Sequence, residues 1–130
     1  MAHWLLKSEP DCYSYDDLVR DQSTNWDGVV NALARKHLRA FAVGDTALYY
    51  LTGKVKAVVG VVAVTAVALD EAGQALVTIA PVQSFDAPVT LAAVKADGAF
   101  AEWDLVRNSR LSVMPVPAKL WTKVLALAEA

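Results

Sequence analysis

The chain has 130 residues, a length that suits one domain with an ordinary hydrophobic core. Its formal net charge is −2, which argues against a protein that coats nucleic acid through a general basic excess, so any nucleic-acid contact has to be local. Hydrophobic residues make up 55% of the chain, but no uninterrupted apolar run has the length of a membrane span, and the first residues lack the pattern of a secretory signal. We therefore expect a single cytoplasmic domain over residues 1–130, without a membrane partner.

Cysteine and histidine, the usual zinc ligands, are sparse. Cys12 is the only cysteine, and His3 and His37 are the only histidines. Their spacing matches no zinc motif, and a single cysteine cannot form an internal disulfide. The sequence predicts neither a metal site nor a cofactor.

Hydrophobic periodicity predicts strands that alternate with short helices. A buried strand over residues 4–6 stops before Pro10, which has no backbone donor. Ser14 is placed to cap a helix over residues 15–20. A longer helix is predicted from about 29 to 41 and closed by Gly44, because apolar residues recur at helical spacing along an inner face formed by Val30, Leu33, Ala34, Leu38 and Phe41. Further strands are predicted over 46–51, 55–67, 75–82 and 111–116, with a hairpin at 70–73. The remaining predicted elements are a helix over 91–95 capped by Thr90, a short turn at 100–103 and a helix over 117–127. Several strands are apolar on both faces, which favours a closed barrel or a sheet covered by helices. The predicted fold is a mixed α+β barrel surrounded by short α-helices.

Polar residues cluster where two of these strands end. Lys7, Ser8 and Glu9 follow the first strand, and Ser109 and Arg110 precede the strand at 111–116. Polar groups held at the ends of buried strands are typical of recognition pockets in small folds. Either Ser8, Glu9 and Ser109 form hydrogen bonds to a base, or Glu9 and Arg110 form an ion pair that joins the two segments without a ligand.

A second candidate segment begins with Trp26. Gly28 permits close approach to the backbone, so a ligand could reach the amides around Gly28 and Val29 beside the Trp26 ring. Alternatively, Trp26 is a core residue and Gly28 a tight turn. The Asn31 carboxamide is suited to pairing with a base edge, although it could equally satisfy a neighbouring backbone group.

Other aromatic residues divide between core and cavity. Tyr49 and Tyr50 point to opposite faces of a regular strand, and we assign Tyr50 to the cavity, where its ring could stack on a base. Trp4 and Trp121 are assigned to structure, because Trp4 lies in an apolar strand and Trp121 on an amphipathic helix. Trp103 lies in an irregular stretch and is left unassigned.

Basic residues suggest a path for a phosphate backbone. Arg35 and Arg39 follow Asn31 at helical spacing, with Lys36 beside them, and Lys54 and Lys56 lie in the next predicted loop. Such stripes are often solvated helix faces. Because this one begins at a pocket candidate, it could hold phosphates on either side of a bound nucleotide.

Four separated motifs together indicate a family. They are residues 4–10, residues 26–31, Gly44-Asp45 followed by Tyr49-Tyr50, and residues 108–116. In this order they resemble the EVE domain family of the PUA-like group, over residues 4 to about 124. The chain departs from the usual family pattern at Val30, where arginine is common, and at Leu51-Thr52, where His-Ser is frequent.

The resemblance implies a module that binds nucleic acid, either DNA or RNA, carrying a modified base. We expect it to be a monomer. The implied base is 5-methylcytosine, 5-hydroxymethylcytosine or N6-methyladenine, flipped out of its strand into an aromatic-walled pocket. Two alternatives stay open. One is an enzyme acting on nucleic acid or nucleotides, with Lys7, Ser8, Glu9 and Tyr50 as its available acid–base groups. The other is a module on the same fold that binds a small molecule or a protein. The non-catalytic reader is the leading interpretation.

Overall fold

The computed structural model describes residues 2–9, 13–26, 32–69, 71, 73, 75–108 and 111–129. Its strands are β1 (His3–Ser8), β2 (Thr24–Trp26), β3 (Thr46–Leu51), β4 (Ala57–Leu69), β5 (Ala75–Thr90) and β6 (Val113–Pro115). Its α-helices are α1 (Tyr15–Asp21), α2 (Ala32–Arg39), α3 (Leu91–Ala96), α4 (Asp104–Arg107) and α5 (Ala118–Glu129), with a 3-10 turn at Gly98–Phe100. None of the helices in this described part of the chain has the length and apolar character needed to cross a membrane.

The strands form one mixed sheet in the order β2-β5-β4-β3-β1-β6. Among these described strands only the β1–β3 pair is parallel, and the other neighbours pair antiparallel. The sheet curls into a half-barrel with short helices around it. The predicted α+β architecture is therefore confirmed.

One edge of the sheet gathers the ends of four strands. Ser8 pairs with Leu51, Leu51 with Ala57, and Ala57 with Thr90. β1, β3 and β5 end at this row and β4 begins there, because β1 and β3 are parallel while β4 reverses direction. We call this row of four residues the Ser8 edge. Loops that leave it are brought close together although they lie far apart in sequence.

Side chains of β1 alternate between two packed layers. The Trp4 ring stacks on Phe41 just after α2, with ring centroids 4.5 Å apart. The neighbouring His3 ring points the other way and stacks on Trp121 of α5 at 4.1 Å. The structural roles predicted for Trp4 and Trp121 are thus confirmed. Trp103, unassigned from sequence, is buried, and its indole N–H donates to the Pro115 carbonyl at 3.3 Å.

Local capping rules correctly predicted two helix starts. Ser14 Oγ accepts from the Asp17 amide at 3.1 Å, while an Asp17 carboxylate oxygen accepts from the Ser14 amide at 2.9 Å, which forms a complete capping box at α1. At α3, Thr90 Oγ1 accepts from the Ala93 amide at 3.1 Å.

The predicted helix over 29–41 was wrong at its end and in part of its inner face. α2 ends at Arg39, and Phe41 packs into the core from the turn that follows. Leu33, expected to face inward, is 42% exposed, because Ala34 and Leu38 occupy the buried face of this short helix. Residues 29–31 lie outside the described residues, so the start of the predicted helix stays a prediction.

Strand boundaries differ most in β4 and β5. β5 continues to Thr90 rather than stopping at 82, because irregular pairing with β4 carries it past Pro88. The outer end of β4, Thr65–Leu69, is exposed, so the expected burial on both faces was wrong there. This end extends beyond the core as part of a hairpin. β2 and α4 were not predicted.

Asp45 is a buried carboxylate that ties the start of the chain to the turn before β3. It accepts hydrogen bonds from the indole N–H of Trp4 at 3.0 Å, the Ala42 amide at 3.0 Å and the Ala2 amide at 3.1 Å. Burial alone would raise the pKa of Asp45, but these hydrogen bonds outweigh it and hold the pKa below its usual range. Asp45 is therefore a structural anion rather than a functional one.

We expect Asp45→Asn to lower the free energy of unfolding by about 1–3 kcal/mol at pH 7, because the amide nitrogen cannot accept from these donors. Since the folded-state pKa is depressed, the stabilisation by the carboxylate is present above the unfolded-state pKa of about 3.9 and is lost as the pH falls through the folded value. Urea denaturation at several pH values should show the gap between parent and variant shrinking below about pH 4. A gap independent of pH would contradict this account.

Gly60 marks the closest approach of α1 to the sheet. A Cβ at this position would lie 2.6 Å from the Gln83 carbonyl oxygen and 2.6 Å from the ring of Tyr15. The Tyr15 hydroxyl donates to the Val61 carbonyl at 2.8 Å, which holds the ring over the glycine. Val59 is left out of the pairing with β3 next to Gly60, so the strand is also irregular here. Glycine allows this contact because it has no side chain.

We expect Gly60→Ala to lower the free energy of unfolding by about 1–3 kcal/mol through overpacking. Gly98→Ala is the matched control, because a Cβ at Gly98 meets nothing within 4 Å, and its effect should stay within about 0.5 kcal/mol. Urea denaturation of both variants gives the comparison. Equal stability of the two would show that α1 does not depend on this close approach.

Candidate functional site

Two hydroxyl groups converge on one carbonyl near the end of β1. Ser8 Oγ donates to the Tyr13 carbonyl at 2.8 Å, and the Tyr49 hydroxyl donates to the same oxygen at 2.9 Å. Burial raises the pKa of Tyr49 to about 12, so its hydroxyl remains a donor at neutral pH. The half-buried Ser8 hydroxyl oxygen retains lone pairs that can accept from a further donor. This arrangement fixes the segment before α1 against the sheet.

Trp26 lies against Tyr49. The ring centroids are 5.6 Å apart with an interplanar angle of 76°, an edge-to-face contact. Tyr49 is fully buried and also contacts Tyr15 at 5.8 Å, whereas Trp26 is only half-buried. Trp26 is thus packed against the core while part of its ring stays accessible, a position compatible with a wall of a ligand site.

Lys7 and Tyr50 lie together on the opposite face of the sheet from Trp26. They are neighbours across the β1–β3 pair, and the Lys7 ammonium lies 5.7 Å from the Tyr50 ring centroid. Desolvation lowers the pKa of Lys7, and burial raises the pKa of Tyr50. Because Tyr50 lies away from Trp26, its assignment to the cavity stays a prediction. Tyr49 is the tyrosine that meets Trp26, a pairing that sequence reasoning missed.

Backbone hydrogen bonds hold the end of β1 on three sides. The Lys7 amide donates to the Ser112 carbonyl, the Thr52 amide to the Ser8 carbonyl, and the Tyr13 amide to the Glu9 carbonyl, each at 2.9 Å. The first bond brings the two predicted motifs together, because Ser112 closely follows Ser109 and Arg110 in sequence. Ser109 and Arg110 themselves lie outside the described residues, so the Glu9–Arg110 ion pair stays a prediction.

The other predicted site residues are only partly placed by the structure. Gly28, Val29 and Asn31 lie outside the described residues, and their assignment to the pocket stays a prediction. On α2, Lys36 and Arg39 are exposed and Arg35 is half-buried. Lys54 and Lys56 are exposed in the loop between β3 and β4, which begins at Thr52 beside the end of β1.

His37 on α2 packs against an aromatic residue of the core. His37 is half-buried, its ring lies 6.1 Å from that of Trp4, and burial lowers its pKa. Within the described residues no group of three or more His, Cys, Asp or Glu side chains is placed to hold a metal ion. The features best suited to a ligand are instead the Trp26 ring, the half-buried Ser8 hydroxyl and the cations around the Ser8 edge.

Comparison with known structures supports the PUA-like fold. The protein Rpa0253 from Rhodopseudomonas palustris aligns over 99% of this chain and 94% of its own, with a TM-score of 0.93 and 37% identity. A structure of the human THYN1 protein in complex with DNA containing 5-methylcytosine aligns over 100% of this chain and 99% of that one, with a TM-score of 0.90 and 25% identity. The predicted PUA-like fold is thereby confirmed.

Sequence comparison gives a shorter match to a curated relative. Human thymocyte nuclear protein 1 is 42% identical over 60 residues, which are 38% of this chain and 27% of that protein. The match thus covers only about a quarter of the human protein's length. In contrast, the family model of the EVE domain matches residues 2–127, nearly the whole chain. The chain belongs to the EVE domain family.

Proposed function

We propose that this protein is a non-catalytic module that binds DNA carrying a modified cytosine, with 5-methylcytosine as its first candidate ligand. Family membership supports the proposal, since a relative with the same fold has a structure with DNA containing that base. The observation that carries it within this chain is the Trp26–Tyr49 contact beside the Ser8 hydroxyl. It places an accessible aromatic surface next to polar groups at a strand end.

The Trp26 ring supplies the main stabilisation in this proposal. Stacking of a base on an aromatic side chain contributes about 1–3 kcal/mol. Because Tyr49 is fully buried behind it, the ring is held in a fixed orientation before a ligand arrives. A preorganised wall loses less conformational entropy on binding than a mobile one.

Discrimination between cytosine and 5-methylcytosine depends on one methyl group. Its burial contributes about 0.8 kcal/mol, or about fourfold in affinity, so larger selectivity requires shape and hydrogen bonding as well. We propose that the base leaves its stack to reach Trp26. Extrusion costs a few kcal/mol in a duplex and less in a single strand, so single-stranded DNA should bind more tightly.

The proposed function predicts saturable binding of single-stranded oligonucleotides that differ in one base. The affinity for the strand with 5-methylcytosine should exceed that for the strand with cytosine by at least about fourfold. Parallel strands with 5-hydroxymethylcytosine, N6-methyladenine or RNA sugars identify the actual ligand. The mass of the bound oligonucleotide should be unchanged after prolonged incubation. Equal affinity for all of these strands would refute a modified-base reader, and a change in mass would favour an enzyme.

Trp26→Leu should abolish the preference for the modified base, because leucine keeps apolar bulk but removes the stacking surface. Trp26→Phe should retain part of the preference. Trp121→Leu is the matched control, since Trp121 is also half-buried but stacks on His3, on the face of β1 opposite Trp4. Affinities are measured by fluorescence anisotropy, with a thermal melt to confirm folding. If Trp26→Leu keeps the parent's preference, Trp26 is only a core residue.

The exposed cations of α2 are proposed to position the phosphate backbone. Replacing Lys36 and Arg39 with Gln should lower the affinity for modified and unmodified strands by similar factors, because phosphate contacts carry no base information. For a single strand, the log–log salt slope should become shallower by about 0.7 for each phosphate that is no longer neutralised. The isolated modified nucleoside should bind as it does to the parent. An unchanged slope would show that this helix face is only solvated.

A further inference from the structure

A second cationic feature lies at the far end of the Ser8 edge. A cleft of about 370 Å³ opens between the loop before β4 and the start of α3. Lys54, Lys56 and Lys95 line it, together with Thr90 and an apolar floor. The floor consists of Val55, Leu91 and Ala92. We call this feature the lysine cleft.

Backbone contacts fix both walls of the lysine cleft. The Leu91 amide donates to the Lys56 carbonyl at 2.8 Å, and Ala57 pairs with Thr90 in the sheet. Lys56 has a positive φ of 47°, so the loop turns sharply just before it enters β4. The lysines are therefore carried by backbone segments held at a defined separation rather than by a loose loop.

The charge of the lysine cleft is of one sign. Its three lysines are exposed, and none of them forms an ion pair with a carboxylate of the described residues. Among those residues no acidic side chain lines the cleft. Three positive charges around one concavity contrast with the net charge of −2 for the chain. A cleft lined by one sign of charge concentrates ions of the opposite sign, so the cleft favours an anionic ligand.

The lysine cleft lies at the same end of the sheet as Ser8. Ser8 and Thr90 are the two ends of the Ser8 edge, three strand spacings apart, or about 14 Å. The loop that carries Lys54 starts at Thr52, whose amide donates to the Ser8 carbonyl. A strand with one base at Trp26 could therefore place a neighbouring phosphate over this loop.

We propose that the lysine cleft binds the phosphodiester groups of nucleotides that flank the base held at Trp26. The proposal rests on the proposed function and adds Lys95 and Thr90, on the far wall, to the DNA-binding surface. The lysines bind the phosphates, and the apolar floor contacts a sugar. In this proposal both α2 and the lysine cleft contact the backbone of the bound strand.

The test compares Lys95→Gln with Lys119→Gln, an exposed helical lysine on α5 outside the cleft. Affinity for single-stranded DNA with cytosine or 5-methylcytosine is measured over a range of salt concentrations. Lys95→Gln should lower both affinities by the same factor and make the log–log salt slope shallower by about 0.7, while Lys119→Gln and Lys95→Arg keep the parent slope. The double variant with Lys54→Gln and Lys95→Gln should make the log–log salt slope shallower by about 1.4.

The outcomes separate this proposal from the function it rests on. If Lys95→Gln keeps the parent slope while 5-methylcytosine is still preferred, the lysine cleft is not a phosphate site and the reader function stands. If no strand prefers the modified base but the slope changes as expected, the cleft binds phosphates and the reader function fails. A variant that lowers binding of the isolated nucleoside, which has no phosphate, also overturns the proposal.

Discussion

The curl of the sheet is the constraint on which the candidate site depends. Trp26 lies on β2 and Tyr49 on β3, three strands apart in the order β2-β5-β4-β3. In a flat sheet three strand spacings amount to about 14 Å, yet the two ring centroids are 5.6 Å apart. The irregular pairing of β4 with both neighbours, around Gly60, accompanies this curl, since bulges bend strands and increase their twist. The fold thus creates the aromatic contact that no local segment contains.

The same sheet separates its polar groups into two sets. On the Trp26 face, the hydroxyls of Ser8 and Tyr49 are anchored to the Tyr13 carbonyl, and of these two side chains Ser8 is the one that is partly exposed. Along the Ser8 edge, the lysines of the cleft are presented without ion-pair partners among the described carboxylates. Because the chain as a whole carries a net charge of −2, the three lysines of the cleft are a local concentration of positive charge.

Features encoded within a few residues could be predicted from the sequence, whereas those that depend on tertiary pairing could not. Ser14 and Thr90 cap helices as expected, because capping needs only the neighbouring amides. β2 was missed because three residues become a strand only by pairing with β5. The alternation of side chains along a strand predicted that Tyr49 and Tyr50 point to opposite faces. It could not predict which of them contacts Trp26, because that contact depends on the curl of the whole sheet. The sequence predicted polar residues at the ends of two strands, but it did not predict the hydrogen bond between the Lys7 amide and the Ser112 carbonyl.

The central claim is that a modified base binds against Trp26, and nuclear Overhauser contacts test it most directly. In a complex with a single strand carrying one 5-methylcytosine, the methyl protons should show contacts to the Trp26 ring, whose inner side packs on Tyr49. Methyl contacts to Trp121 or Tyr50 without any to Trp26 would contradict the account, because those rings lie on the other face of the sheet.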